Sequence, residues 1–145
     1  MKQLNYIKLE FPARSANEGF ARAAAAAFAA QMDPTMEELG DVKTAVSEAV
    51  TNAIVHAYPN EAGQVQMRLR VLEENVLEIS VRDKGRGIPD VKKAMEPMYS
   101  TGGEERSGMG FTIMSSFMDG LRVRSAVDKG TVVTMRKRIR TKGQG

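Results

Sequence analysis

The chain has 145 residues, of which 42% are hydrophobic, and it carries a formal net charge of +3. This length fits one globular domain, since two domains would each have a marginal core. The absence of cysteine excludes disulfides, zinc-thiolate sites and cysteine nucleophiles, and the single histidine excludes most histidine-based triads and metal clusters. No apolar run has the length of a membrane span and the N-terminus lacks a signal-peptide core, so we expect a soluble, cytoplasmic protein.

One strand and two helices are predicted in the first part of the chain. Residues 5–11 alternate between polar and apolar side chains, which is the period of a half-buried strand, and Pro12 ends it. The sequence Ser15-Ala16-Asn17-Glu18 has the pattern of a capping box and predicts a helix from there to about Gln31. Asp33-Pro34 then predicts the N-cap and first residue of a second, longer helix.

The rest of the chain is predicted to contain two β-hairpins and two further helices. Alternating runs pair 65–71 with 77–81 and, later, 121–127 with 131–135. Between the hairpins, Asp90 predicts a short helix to about Met95, and an apolar stripe over 111–118 predicts another. Five strands and about three substantial helices indicate an α+β fold, with a mixed, mostly antiparallel sheet and helices on one face.

Polar residues flank the apolar stripe of the long second helix. At about 100° per residue, Glu48 and Asn52 lie within about 40° of each other, and His56 falls one turn further along. Such a pair is by itself typical of a solvated helix edge. Three glycine-bearing elements that follow in the sequence favour a site instead.

The first of these elements is Asp83-x-Gly85-x-Gly87, at the predicted end of a strand, where a carboxylate accepts a hydrogen bond from an amine such as that of adenine. The second is Ser107-Gly108-Met109-Gly110, which precedes a predicted helix and offers free backbone N–H groups to phosphates. The third is Gly130-Thr131 at the start of the last strand. Each element alone is equally typical of an ordinary turn.

In this order, the four elements resemble the N, G1, G2 and G3 boxes of the GHKL ATPase and kinase superfamily, over nearly the whole chain. The resemblance implies a single GHKL (Bergerat) sandwich over residues 1–145 that binds ATP or ADP with Mg²⁺. Asn52 would coordinate the metal, Asp83 would bind the adenine amine, and the loop from Pro97 to Ser107 would form an ATP lid. The nucleotide-binding residues implied are Asn52, His56, Asp83, Gly85, Gly87, Ile88, Thr101, Ser107, Gly108, Met109, Gly110 and Thr131.

Residues 14–22, 47–53 and 104–112 resemble more specifically the sporulation anti-sigma factors, which are serine kinases of this superfamily. This resemblance implies a homodimer that holds an RNA polymerase sigma factor, such as sigma-F, and phosphorylates a serine of an anti-anti-sigma protein. Arg22 would lie on the partner surface. We predict that Glu48, one helical turn before Asn52, accepts the proton of the attacking hydroxyl.

Other functions remain compatible with these motifs. Glu48 could equally activate water in an ATPase, and related stress-response anti-sigma kinases or a nucleotide-gated sigma-binding module share the same residues. A small basic nucleic-acid binder would fit the pI near 9.3, but no aromatic-rich face supports it. We interpret the basic residues at about 137–145 as a solvated tail, with no direct nucleic-acid or membrane partner.

Overall fold

The computed structural model describes residues 1–57, 63–96 and 110–140. The five strands are β1 (Gln3–Pro12), β2 (Gln64–Leu72), β3 (Val76–Asp83), β4 (Gly120–Ala126) and β5 (Gly130–Arg138). The helices are α1 (Ala16–Ala29), α2 (Met36–Asn52), α3 (Val91–Ala94) and α4 (Gly110–Phe117). A 3₁₀ turn over Ala30–Met32 extends α1, and a π-helical turn over Ala53–Ala57 extends α2. No helix in the described ranges is both long and apolar enough to cross a membrane.

The first helix lies where it was predicted, but its predicted capping box is wrong. Ser15 is itself helical, with φ −58° and ψ −29°, and its side chain makes no capping hydrogen bond. Glu18 instead forms an ion pair with Arg22 at 3.6 Å, one turn along the helix. The Asn17 side chain donates to the Pro12 carbonyl oxygen at 3.0 Å and holds the start of α1 against the end of β1.

The start of the second helix was also predicted two residues too early. Asp33 has a left-handed backbone, with φ 53°, and ends the preceding 3₁₀ turn. Thr35 is the N-cap: its Oγ1 accepts the Glu38 N–H at 3.1 Å, and Glu38 Oε1 accepts the Thr35 N–H at 2.9 Å. This reciprocal pair satisfies two otherwise unpaired donors, so it fixes the start of α2 better than Asp33 could.

The sheet has the strand order β1-β2-β3-β5-β4, and every ladder is antiparallel. Both predicted hairpins are confirmed; left-handed Glu74 and Asn75 turn the first, and left-handed Asp128 turns the second. Because β5 lies between β3 and β4 and is antiparallel to both, β3 and β4 run in the same direction, and the chain between them must return along a face of the sheet. This connection contains α3 and α4, and the ends of β3 and β4 lie at one end of the sheet with the start of β5.

The core lies between one face of the sheet and the helices, which confirms the predicted α+β fold. The buried stripe of α2 packs with inward side chains of the central strands and with α4, through Val42, Val46, Val50, Leu69, Ile79 and Met114. On β1, Ile7, Leu9 and Phe11 face the same core, as the alternation predicted.

The last strand includes residues that the sequence assigned to a solvated tail. It continues to Arg138, Ile139 is only 2% exposed, and Lys137 pairs with Asp41 at 3.4 Å. Residues 141–145 of the predicted tail lie outside the described residues.

The opposite face of the sheet is covered by cationic side chains, and we call it the arginine face. Glu78, in the central strand, is 3% exposed and contacts Arg70 at 2.6 Å and Arg136 at 2.8 Å from the strands on either side. Burial alone would raise the pKa of Glu78, but hydrogen bonds and charges from these two arginines lower it overall below its ordinary 4.5. The face comprises Lys8, Arg68, Arg70, Arg82, Arg122, Arg124, Arg136 and Arg138, with only Glu10 and Glu78 of opposite charge.

Candidate functional site

A row of polar side chains crosses three strands on the helix-covered face of the sheet. Asp83 is in register with Thr131, and Thr131 is in register with Ser125 on the edge strand. Asp83 is 7% exposed and Thr131 is 8% exposed, at positions where the neighbouring inward residues are apolar. The end of an otherwise apolar core therefore carries one carboxylate and two hydroxyl groups.

Backbone amides hold the Asp83 carboxylate in place. Its Oδ1 accepts the Gly85 N–H at 3.0 Å, and the Thr131 backbone N–H is a second donor. Burial raises the pKa of Asp83, while these two hydrogen bonds oppose the increase. A buried carboxylate with a spare acceptor site is chemically suited to an amine of a ligand.

Close backbone approaches explain two of the predicted glycines. At Gly87, with φ +77°, a Cβ would overlap the Ala126 carbonyl oxygen, and at Gly130, with φ +107°, it would overlap the Asp83 carbonyl oxygen. Only glycine adopts such conformations at little cost. The loop after β3 is thus pressed against the β4–β5 hairpin, and the Asp128 N–H donates to the Arg86 carbonyl oxygen at 2.7 Å.

A second group of polar residues forms where α2 meets the start of α4. A Cβ placed on Gly110 would lie 3.0 Å from Asn52 Nδ2, 3.3 Å from Asn52 Oδ1 and 3.4 Å from Glu48 Oε2. The structure therefore brings together Glu48, Asn52 and Gly110, three residues from separate predicted motifs. Glycine at this position allows the polar ends of Asn52 and Glu48 to approach the start of α4 closely.

The π-helical turn after Asn52 lies between the two clusters of polar side chains, the row that contains Asp83 and the cluster that contains Glu48 and Asn52. It follows directly on Asn52 and contacts both β3 and β5. Such turns are often found at functional sites. The backbone of His56 lies in this turn, but its side chain is outside the described residues, as are Thr101, Ser107, Gly108, Met109 and the predicted lid. Gly85 and Ile88 lie in the loop after Asp83, with Gly85 buried and Ile88 packed against the core.

Arg22 belongs to a different surface from the two polar groups. It lies on the exposed side of α1, with 44% of its side chain exposed. Phe20 is 66% exposed, which is high for a large apolar residue, but at two residues from Arg22 it lies on the other side of the buried Ala21. An exposed arginine and an exposed aromatic residue are each enriched at protein-binding surfaces.

Sequence reasoning assigned no role to Ser125, which the structure places in the polar row. The Ser125 Oγ accepts the Ile88 N–H at 2.7 Å and donates to the Gly130 carbonyl oxygen at 3.0 Å. It also lies 2.8 Å from Thr131 Oγ1. The available signal was its place in the alternation of β4, where it continues the inward-facing positions of Leu121 and Val123.

The oxygen donors present fit a Mg²⁺–nucleotide site in which the protein supplies few ligands. Among residues 1–57, 63–96 and 110–140, no three His, Cys, Asp or Glu side chains group closely enough to hold a metal. Asn52 supplies a carboxamide oxygen, and Mg²⁺ usually completes its shell with phosphate and water oxygens. The side chain of Asn52 lies against the start of α4 at Gly110.

The sequence matches a family model described as a histidine kinase-like ATPase domain over residues 11–137. It is 54% identical to the anti-sigma F factor of Caldanaerobacter subterraneus subsp. tengcongensis over 140 residues, which cover 96% of this chain and 97% of that protein. It is 53% identical to the anti-sigma F factor of Geobacillus kaustophilus over 136 residues, which cover 93% of each chain.

Solved structures share the fold. The RsbU and RsbW domains of Rv1364c from Mycobacterium tuberculosis match with a TM-score of 0.70 and 17% identity, over 94% of this chain and 33% of that one. A histidine kinase domain from Erythrobacter litoralis EL346 matches with a TM-score of 0.59 and 24% identity, over 84% of this chain and 61% of that one. The family model and the near full-length relatives at more than half identity establish that this chain belongs to the anti-sigma F factor family of histidine kinase-like ATPase domains.

Proposed function

We propose that the protein is an anti-sigma factor that binds an RNA polymerase sigma factor and, as an ATP-dependent serine kinase, phosphorylates an anti-anti-sigma protein. The observation that carries the proposal is the convergence of Glu48 and Asn52 on Gly110, at the same end of the molecule as the buried Asp83. Relatives with more than half of their residues identical are named anti-sigma F factors, which favours sporulation over stress response.

The nucleotide would span the two polar groups. Asp83 would accept a hydrogen bond from the adenine amine, and the loop through Gly85, Gly87 and Ile88 would cover the base. Asn52 would hold Mg²⁺, which neutralises phosphate charge when bound. At the other end, the segment of Thr101, Ser107, Gly108 and Met109 would contact the phosphates together with Gly110.

Phosphoryl transfer needs positioning and charge neutralisation more than covalent help from the protein. The oxygen of a substrate serine forms a bond to the γ-phosphorus as the bond to the departing ADP oxygen breaks. Glu48 takes the proton of that serine hydroxyl. If water occupied the place of the serine, the same carboxylate would produce an ATPase, so the substrate protein decides between the two reactions.

Protein partners would use the exposed side of α1. Arg22, whose side chain is 44% exposed, offers a guanidinium, a group that commonly anchors interfaces. In the proposed cycle, a homodimer with ATP holds the sigma factor, and the anti-anti-sigma protein competes for this surface until it is phosphorylated.

The test is transfer of labelled γ-phosphate from Mg-ATP into proteins of a source-cell lysate. The wild type should label a small protein on serine, whereas Glu48→Gln should retain ATP affinity and lose labelling by at least about a hundredfold. Glu37→Gln, an exposed change at the start of the same helix, is the matched control and should label normally.

Each alternative has its own result in this experiment. Release of free phosphate without a labelled protein would favour an ATPase. Neither signal, in a protein that binds ATP and retains sigma factor, would favour a nucleotide-gated sigma-binding module. Full labelling by Glu48→Gln would refute the role of Glu48 as the base.

A further inference from the structure

The Ser125 hydroxyl has more hydrogen-bond partners than it has protons. It contacts the Ile88 N–H at 2.7 Å, the Gly130 carbonyl oxygen at 3.0 Å and the Thr131 hydroxyl at 2.8 Å. An amide N–H can only donate and a carbonyl oxygen can only accept. The single Ser125 proton is therefore directed to Gly130, and both remaining contacts are ones in which Ser125 accepts.

The same count of donors and acceptors gives the direction of the Thr131 hydroxyl. Either hydroxyl could donate across the 2.8 Å contact, but all three Ser125 contacts are hydrogen bonds at once only when the Thr131 O–H donates to Ser125 Oγ, and this arrangement leaves only lone pairs on Thr131 Oγ1. Thr131 is directly in register with Asp83, whose carboxylate is also an acceptor, since its Oδ1 accepts the Gly85 N–H. Two acceptors thus lie side by side at the end of the sheet, without a hydroxyl proton to offer a ligand.

We infer that Ser125 is a positioning residue that makes the base pocket selective for a purine with a 6-amino group. The inference rests on the proposed nucleotide site. Adenine presents an N–H donor at its 6-position, which matches two acceptors. Hypoxanthine and guanine have a carbonyl oxygen at this position, which would face the acceptor oxygens of Asp83 and Thr131 without a hydrogen-bond donor. Binding of these bases would therefore leave buried polar groups unpaired.

Ser125 also connects the two walls of this pocket. Through the Ile88 N–H it holds the loop that follows Asp83, and through Gly130 and Thr131 it holds the start of β5. A change at Ser125 alone would therefore alter both the width of the pocket and the direction of the Thr131 hydroxyl. Alanine removes all three contacts, whereas threonine retains the hydroxyl on a side chain well suited to a strand.

The experiment compares binding of Mg-ATP and Mg-inosine triphosphate by titration calorimetry. The two nucleotides differ at the 6-position of the purine, amino in one and oxo in the other. The wild type should bind ATP at least about tenfold more tightly, a factor that corresponds to one good hydrogen bond. In Ser125→Ala the freed Thr131 hydroxyl can turn and donate to the oxo group, so the preference should fall to about half of the wild-type ratio or less, and Asp83 accounts for the part that remains.

Two further variants control for fold and for the loss of a hydroxyl in general. Ser125→Thr should restore the wild-type preference. Ser80→Ala removes a comparable serine–threonine pair, 3.3 Å from Thr134, on the arginine face of the same sheet, and it should leave the preference unchanged. If Ser125→Ala does not fold, Thr131→Val tests the same idea, since loss of the acceptor should also reduce the preference for ATP.

The outcomes separate the inference from the proposed function. Equal weakening of both nucleotides in Ser125→Ala, with the preference intact, means that Ser125 only supports the fold, and it overturns the inference. An unchanged preference in Thr131→Val, or no preference in the wild type, overturns it too while ATP binding stands. If the wild type binds neither nucleotide, the proposed function itself fails.

Discussion

Gly110 gives the most direct test of the site, because its replacement by alanine should alter function while leaving the fold intact. A Cβ at this position would lie 3.0 Å from Asn52 Nδ2, whereas ordinary contacts begin at 3.4 Å, so the carboxamide must retreat by about 0.4 Å. The atom that moves is the end of a side chain, so the cost in stability is small. Alanine also favours a helix by up to about 1 kcal/mol over glycine.

The expected loss is in turnover rather than in folding. A misplacement of about 1 Å can cost about a hundredfold in rate, so a shift of this size should lower single-turnover phosphate transfer by about five- to tenfold. The thermal midpoint should be unchanged or slightly higher. Both quantities are measured on the purified variant, by quenched-flow transfer of labelled phosphate and by calorimetric unfolding.

Gly40→Ala is the matched control for this variant. Gly40 is an exposed residue of α2, and a Cβ there would meet nothing within 4 Å. The substitution should stabilise the protein by about 1 kcal/mol and leave turnover unchanged. Unchanged turnover in Gly110→Ala as well would refute the reasoning, since Asn52 and Glu48 could not then be the groups that act on the phosphates.

Two further predictions concern the arginine face and α1. The pKa of Glu78 in the folded protein is below its ordinary 4.5. Between these two pKa values the unfolded state therefore binds more protons than the folded state. The stability that Glu78 contributes is present above about pH 4.5 and is lost as the pH falls through the folded pKa. Glu78→Gln should thus lower the free energy of unfolding by about 2 kcal/mol at pH 7, which is less than for a fully buried ion pair because Arg136 is 48% exposed. The variant should also lose less stability than the wild type as the pH is lowered. Denaturant unfolding at a series of pH values would contradict this if both proteins lost stability equally in acid. Arg22→Ala should weaken capture of the anti-anti-sigma protein, before its phosphorylation, by about tenfold or more without changing ATP affinity. Lys43→Ala, exposed on α2, should not weaken it, and equal capture by both variants would remove Arg22 from the partner surface.

The sequence predicted the elements whose signals are local and repeated. Alternating apolar residues over 65–71, 77–81 and 131–135 and the apolar stripe of α2 reflect the burial of one face, and β2, β3, β5 and α2 form at these places. Errors arose where two local signals competed. Thr35 with Glu38 formed the capping box in place of Asp33, and Glu18 paired with Arg22 instead of capping α1.

The candidate site was predictable only as far as its motifs reached. Asp83, Gly87 and Gly130 were found from their spacing, and the structure gives the close approaches that require the two glycines. Ser125 was missed because its role depends on register across three strands, which no spacing within one strand encodes. Contacts between residues far apart in sequence, such as Gly110 with Asn52, appear only when the chain is folded.

The arginine face gives the molecule an uneven charge distribution that its small net charge conceals. Among residues 1–57, 63–96 and 110–140, eight of the 19 basic side chains lie there with two of the 15 acidic ones, so the other 11 basic residues are outnumbered by 13 acidic residues. A protein of net charge +3 therefore acts as an electric dipole, with the sheet as its positive pole. Such a dipole rotates approaching macromolecules within about 10 Å at 0.1 M salt, so their encounter rates should depend on ionic strength even where the net charges are small.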